Sequence, residues 1–192
     1  ISACLVGSEM CIRDSTYGSF VRMYFQKTFD AIIATPVNIE EVIAGEMLWG
    51  ATRSLISSSI VLAVVAAFGL IASPLFVLIP LVAFFAGLMF SSIAMCFTSL
   101  APNIDFFNYP AFLFITPMFL LSGTFFPLTD LPEFIQLVAK ALFPLTHTVS
   151  ITRGLLLGNL EQSLPLSLLW IGAVTIVFFV LSINLMRRKL IK

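Results

Sequence analysis

His147 is the one histidine in the chain, and Arg153 follows it six residues later. An imidazole that catalyses needs a carboxylate to orient it, a serine elbow to activate or a second ligand to share a metal. None stands near His147 in PLTHTVSITRG, so acid–base catalysis is not expected there. Arg153 suits a different task, contact with lipid phosphates or an anionic substrate. Cys4, Cys11 and Cys96 show no CxxC spacing and lie far from His147, which argues against zinc, haem and a disulfide framework. No GxxxxGK[ST] occurs, so the chain lacks the loop that would cradle ATP phosphates.

The remaining chemistry is ionic. Glu40 and Glu41 fall in the opening turn of a helix, where the helix dipole favours anions, and Asn38 with Glu41 three residues on forms a candidate capping box. Glu46 and Arg53 are seven apart and therefore share a helix face at the mouth of a span. They could pair with each other, or Arg53 could simply reach for the membrane surface; the pattern leaves both open.

These residues are carried by elements made for a bilayer. Hydrophobic residues make up 59% of the chain and charged ones 10%, against about 25% charged in a soluble domain. Such a chain cannot coat a water-facing surface, and with a net charge of zero and no basic block it does not suit nucleic acid. Ser54 to Ala101 holds no charge at all, enough for two crossings of about 20 residues each. The Ser73–Pro74 step breaks it into a hairpin of spans over 47–72 and 75–100. A third span is expected over 106–126, kinked at Pro110 or Pro117, and a fourth over 164–186, ending in Arg187, Arg188, Lys189 and Lys192. The fold class is thus an all-α integral membrane protein with about four transmembrane helices. Ser57, Ser58, Ser59, Ser91 and Ser92, with Gly69 and Gly87, are expected to pack helices closely and to hydrogen-bond between them.

Two further segments belong to the membrane surface. Over 20–34, Val21, Phe25, Phe29 and Ile32 form an apolar face opposite Arg22, Gln26 and Asp30, an amphipathic helix ending at Thr35–Pro36. The segment 122–158 is too apolar for an ordinary loop. A half-buried, re-entrant helix is expected after Pro132, stopping before Pro144, and a second from about Thr146 to Leu157 closed by Gly158. Ser122, Gly123, Phe125, Phe126 and Pro127 stand where the third span leaves the membrane. They read equally as an aromatic gate and as a helix end anchored in the aromatic belt. Basic residues flank the first span and follow the last, so the positive-inside rule puts both ends in the cytoplasm and 127–163 outside.

Residues 1–15, ISACLVGSEMCIRDS, share neither period nor composition with the rest of the chain and read as a non-native artefact, the native chain beginning near Thr16. From there on, the runs KTFDAIIATPVNIEEVIAGEMLWGATRS, LSGTFFPLTDLP and FPLTHTVSITRGLLLG and the basic tail resemble, in order, the ABC-2-type permeases. Within them the likeness is to the NodJ-like subfamily, associated with export of lipo-oligosaccharides and related glycolipids. The resemblance covers 17–192. It implies a six-helix bundle whose first two helices are missing from this chain. It further implies a second permease copy, as homodimer or heterodimer, and a separate cytoplasmic ABC ATPase that carries the ATP and Mg, this chain binding no cofactor. The ATPase would dock on the amphipathic segment, through Phe29, Asp30, Thr35, Pro36, Glu40 and Glu41. A plain interfacial helix is the alternative for those six. The function implied is the permease of an exporter for a lipo-oligosaccharide, polysaccharide or drug at the bacterial inner membrane. A lipid-modifying membrane enzyme would need paired ionisable residues at matching depth, and a secondary transporter an acidic site near the midplane; the spans show neither.

Overall fold

The computed structural model describes residues 18, 21, 38–69, 74–101, 106, 113, 116–121, 136, 143–157 and 164–190. Its regular elements are helical: α1 (Ile39–Ala67), α2 (Ile79–Leu100), α3 (Thr116–Leu121), α4 (Pro144–Leu157) and α5 (Leu164–Leu190). A 3-10 turn, Pro74–Leu78, leads into α2. Three stretches, Ile39–Ala67, Leu75–Leu100 and Ser167–Arg188, are long and apolar enough to cross a membrane. The surface helix expected over 20–34, the re-entrant segment after Pro132 and most of the third span lie outside the described residues.

α1 starts eight residues ahead of the expected span. Charge ends an apolar run but not a helix, so Glu40, Glu41, Glu46 and Arg53 all sit on α1. Its 29 residues make a rod of about 43 Å, against a hydrocarbon core of about 30 Å, which leaves the charged turns room outside. The rod ends at Gly69, whose φ of 67° only glycine adopts without strain. Phe68 N–H donates to the Val64 carbonyl at 3.2 Å and Gly69 N–H to that of Ala66 at 3.0 Å, so the last turn closes on itself. Gly69 is therefore a helix stop, not the packing position expected of it. Nothing lies within 4 Å of where its Cβ would be. Pro80 stands in the first turn of α2, where its missing N–H costs no hydrogen bond.

α2 is the centre of the bundle. Just over half of its apolar window (56%) is buried, against 17% for α1 and for α5. It packs against α1, α4 and α5. The α1–α2 seam is backbone-close: a Cβ on Gly87 would lie 2.5 Å from Ser54 Cβ and 3.2 Å from Ala51 Cα. Across it, Ser54 Oγ donates to the Ala83 carbonyl at 3.0 Å. Three of the expected serines behave otherwise. Ser58 and Ser59 donate back to the Leu55 carbonyl at 3.1 and 2.8 Å, and Ser92 to that of Leu88 at 2.8 Å. Ser91 and Ser92 are nonetheless buried, as close packing requires.

The outward faces are apolar. On α1, Trp49, Ile56, Ile60 and Val64 recur at helical spacing and are each at least half exposed, as are Leu169, Ile176, Val177 and Val180 on α5. Stripes of this kind are untenable in water and are what lipid requires.

Candidate functional site

One end of the bundle collects charge. Arg187 Nη1, near the end of α5, donates to Glu40 Oε1, in the first turn of α1, at 3.1 Å. The pair spans 147 residues of sequence and both side chains remain a little over half exposed. Glu41 lies beside it, and Arg188 follows on α5, both exposed. The capping box takes a different form from the one expected. Asn38 sits at the cap position, but its backbone carbonyl accepts from Glu41 N–H at 3.0 Å and Val42 N–H at 3.3 Å. Its side chain makes no cap bond; Asn38 Nδ2 instead donates to Glu41 Oε1 at 3.2 Å. With Glu40 turned to Arg187 and Glu41 to Asn38, both carboxylates of the opening turn are oriented by partners within the chain.

Immediately beneath lies a small core from three helices: Ile43 and Met47 of α1, Met95 of α2 and Met186 of α5, all fully or almost fully buried. Ser182 Oγ donates to Met47 Sδ at 3.3 Å. Further along the rod, Glu46 is half-buried and Arg53 exposed, about 10 Å apart along the axis.

The other end holds His147. Its ring stacks on Trp170 of α5, centroids 4.6 Å apart and planes 27° from parallel, and His147 Nδ1 lies 3.2 Å from Ser167 Oγ. The ring thus joins the start of α4 to the start of α5. Trp170 and Arg187 are separated by 17 residues of helix, about 25 Å, so His147 and the Glu40–Arg187 pair stand at opposite ends. Arg153, half-buried, is six residues on in α4, about 9 Å along its axis. Next to His147, Thr146 is buried, and its Oγ1 finds no hydrogen-bond partner among the described residues.

Of the residues singled out from the sequence, Glu40 and Glu41 are brought together with Arg187 at one end, and Glu46 and Arg53 share the rod that leads from it. His147 and Arg153 are on one helix at or towards the other end. Phe29, Asp30, Thr35 and Pro36, and Ser122, Gly123, Phe125, Phe126 and Pro127, lie outside the described residues. Sequence reasoning missed Arg187 as a partner, Ser54, and the methionine cluster. Arg187 was visible only as one residue of a basic tail. Among the described residues no group of three or more His, Cys, Asp and Glu could hold a metal.

Comparison with known proteins agrees with this architecture. Residues 12–157 match the model of the ABC-2 type transporter family. The chain is 36% identical over 179 residues to nodulation protein J of Rhizobium meliloti, covering 92% of this chain and 67% of that protein. Nodulation protein J of Rhizobium leguminosarum bv. trifolii is 33% identical, and that of Sinorhizobium fredii 31%, each over 93% of this chain and 68% of the relative. No solved structure matches the chain. An all-helical bundle with membrane-length apolar helices, a family match over most of its length and relatives of this kind lead to one conclusion: the chain belongs to the ABC-2 type transporter family and is a multi-pass membrane permease.

Proposed function

We propose that the protein is the permease subunit of an ATP-driven exporter in the bacterial inner membrane, moving an amphiphile of the lipo-oligosaccharide or glycolipid class. The observation that carries this reading is the gathering of Glu40, Glu41, Arg187 and Arg188 at one end of three apolar spans. The positive-inside rule assigns that end, with the head of α1 and the end of α5, to the cytoplasm. There a motor could grip it. The sequence has no loop of its own to cradle ATP, so hydrolysis, with its ATP and Mg, falls to a separate ABC ATPase subunit. Phe29, Asp30, Thr35 and Pro36 precede α1 in the chain and would complete the docking surface with Glu40 and Glu41. A second permease copy would supply the facing wall of the path. The resemblance to the NodJ-like subfamily favours a lipo-oligosaccharide cargo, whose acyl chain suits the apolar outer faces of α1 and α5. Ser122, Gly123, Phe125, Phe126 and Pro127, with His147 and Arg153, would meet it at the external end.

The work of such a subunit is mechanical. Binding energy in the motor is converted to helix tilt, and no bond is made or broken by the permease. The test is co-purification in mild detergent of the full-length protein with the ATPase encoded beside it. Glu40 is already engaged with Arg187, so the informative variant is Glu41→Lys, with Asn38→Ala as control for the hydrogen bond alone. We expect the wild type and Asn38→Ala to retain the ATPase and Glu41→Lys to lose most of it. A wild type that retains no ATPase removes the exporter reading.

A further inference from the structure

The Glu40–Arg187 pair joins the first turn of one membrane-length helix to the last turns of another. An ion pair this exposed adds little to folding, because water and salt screen it. Its geometry is more informative than its strength. Met186, the neighbour of Arg187, and Ile43 and Met47, one and two turns beyond Glu40, are buried together with Met95 directly below the pair. Three of those four are methionines, whose unbranched thioethers follow a moving neighbour through low-cost rotamer changes, while Ile43 and the partly buried Ile39, Val42 and Ile183 packed against them are branched and stiffer. The seam further along α1 is the opposite case, with Gly87 against Ser54 and Ala51 leaving no room to slide. So the end where charge gathers is tied on the outside, over a core in which three of the four buried side chains are unbranched methionines.

We propose that Glu40 is a positioning residue acting through Arg187: the pair makes the head of α1 and the end of α5 move as one body over the methionine cluster. Displacement imposed on α1 then reaches α5 directly, without passing through α2. This rests on the reading that an ATPase docks at this end, and it gives Glu40 a task inside the chain distinct from contact with that partner.

The test uses the full-length protein in complex with its ATPase. Spin labels go on Gly45→Cys of α1 and Arg188→Cys of α5, both exposed sites, in a background with Cys4, Cys11 and Cys96 replaced by serine. Distance distributions are recorded with and without a non-hydrolysable ATP analogue, for the wild-type pair, Arg187→Glu, and the swap Glu40→Arg with Arg187→Glu. We expect the wild-type separation to be unchanged by nucleotide. In Arg187→Glu, with the ATPase still bound, nucleotide should shift it by about 1–2 Å, the size of helix displacements in switching transitions. The swap should restore the invariant distance. A role in stability alone would alter yield and leave the nucleotide response untouched. The proposal is overturned if the wild-type separation changes with nucleotide, if Arg187→Glu behaves as wild type, or if the swap restores nothing. Loss of the ATPase from the wild-type complex would instead remove the docking reading, and is seen before any variant is compared.

Discussion

Alanine in place of glycine should have opposite effects at two positions of this bundle. In a helix, Gly→Ala gains about 1 kcal/mol through reduced backbone entropy in the unfolded chain and better helix propensity. At Gly45 nothing lies within 4 Å of the added Cβ, so that gain should appear nearly whole. At Gly87 the same carbon would be 2.5 Å from Ser54 Cβ and 2.9 Å from its Oγ, closer than carbon and oxygen atoms tolerate. Either α1 and α2 separate, weakening the Ser54 bond to the Ala83 carbonyl, or the helices bend locally. Overpacking of this kind costs about 1–3 kcal/mol, so Gly87→Ala should come out destabilised or at best neutral. The decisive quantity is the coupling with residue 54. With Ser54→Gly the nearest two atoms are gone, leaving Ala51 Cα at 3.2 Å, and Gly87→Ala should then be clearly better tolerated than in the wild type, though short of the gain at Gly45. The double-mutant cycle therefore predicts a coupling of about 1–3 kcal/mol between positions 54 and 87. Equilibrium unfolding in mixed micelles, with increasing denaturing detergent and helix content as the signal, measures all four corners. Additive effects within about 0.5 kcal/mol would refute the close seam.

Gly69 should tolerate alanine poorly for a different reason. Its space is open but its φ is 67°, so Gly69→Ala should cost about 1–2 kcal/mol of left-handed backbone strain and Gly69→Asn distinctly less, by the same unfolding assay. At Thr146 a polar atom is buried without a partner among the described residues, and Thr146→Val keeps the shape while removing it. That variant should gain about 1–3 kcal/mol, the usual penalty of an unpaired buried donor or acceptor; a loss would mean the hydroxyl is in use.

How much of this was legible in the sequence depended on the range of the interaction. Membrane-length helices were legible because a bilayer demands long charge-free runs, and Ser54 to Ala101 is one. The start of α1 was legible from a different signal: hydropathy stops at Arg53 and Glu46, but Asn38 and the acidic opening turn mark the helix start, which the structure puts at Ile39. The choice of Ser54 over Ser58 and Ser59 depends on which face of α1 meets Gly87, a matter of rotation about the helix axis that neither segment records alone. The Glu40–Arg187 pair and the methionine cluster are long-range in the same sense, the first spanning 147 residues and the second joining α1, α2 and α5. Composition could say that acidic and basic residues flank the spans. It could not say that they meet.

The arrangement along α1 has a mechanical consequence of its own. The helix is held to α2 where Gly87 abuts Ser54 and Ala51, at the middle of the rod: Glu40 lies about 21 Å from Ser54 along the axis, and Ala67 about 20 Å on the other side. Toward the charged end three of the four buried side chains it packs among are methionines, which adjust more readily than that backbone contact. A rigid tilt of α1 about that seam would therefore carry a displacement at Glu40 to the Gly69 turn at almost equal size and in the opposite sense. With Arg187 tied to Glu40, α5 would share the movement at the charged end while His147 and Trp170 hold its far end to α4. A bundle packed this way resists sliding and permits rocking, the motion that the proposed exporter subunit, driven from one side of a membrane and opening on the other, would require.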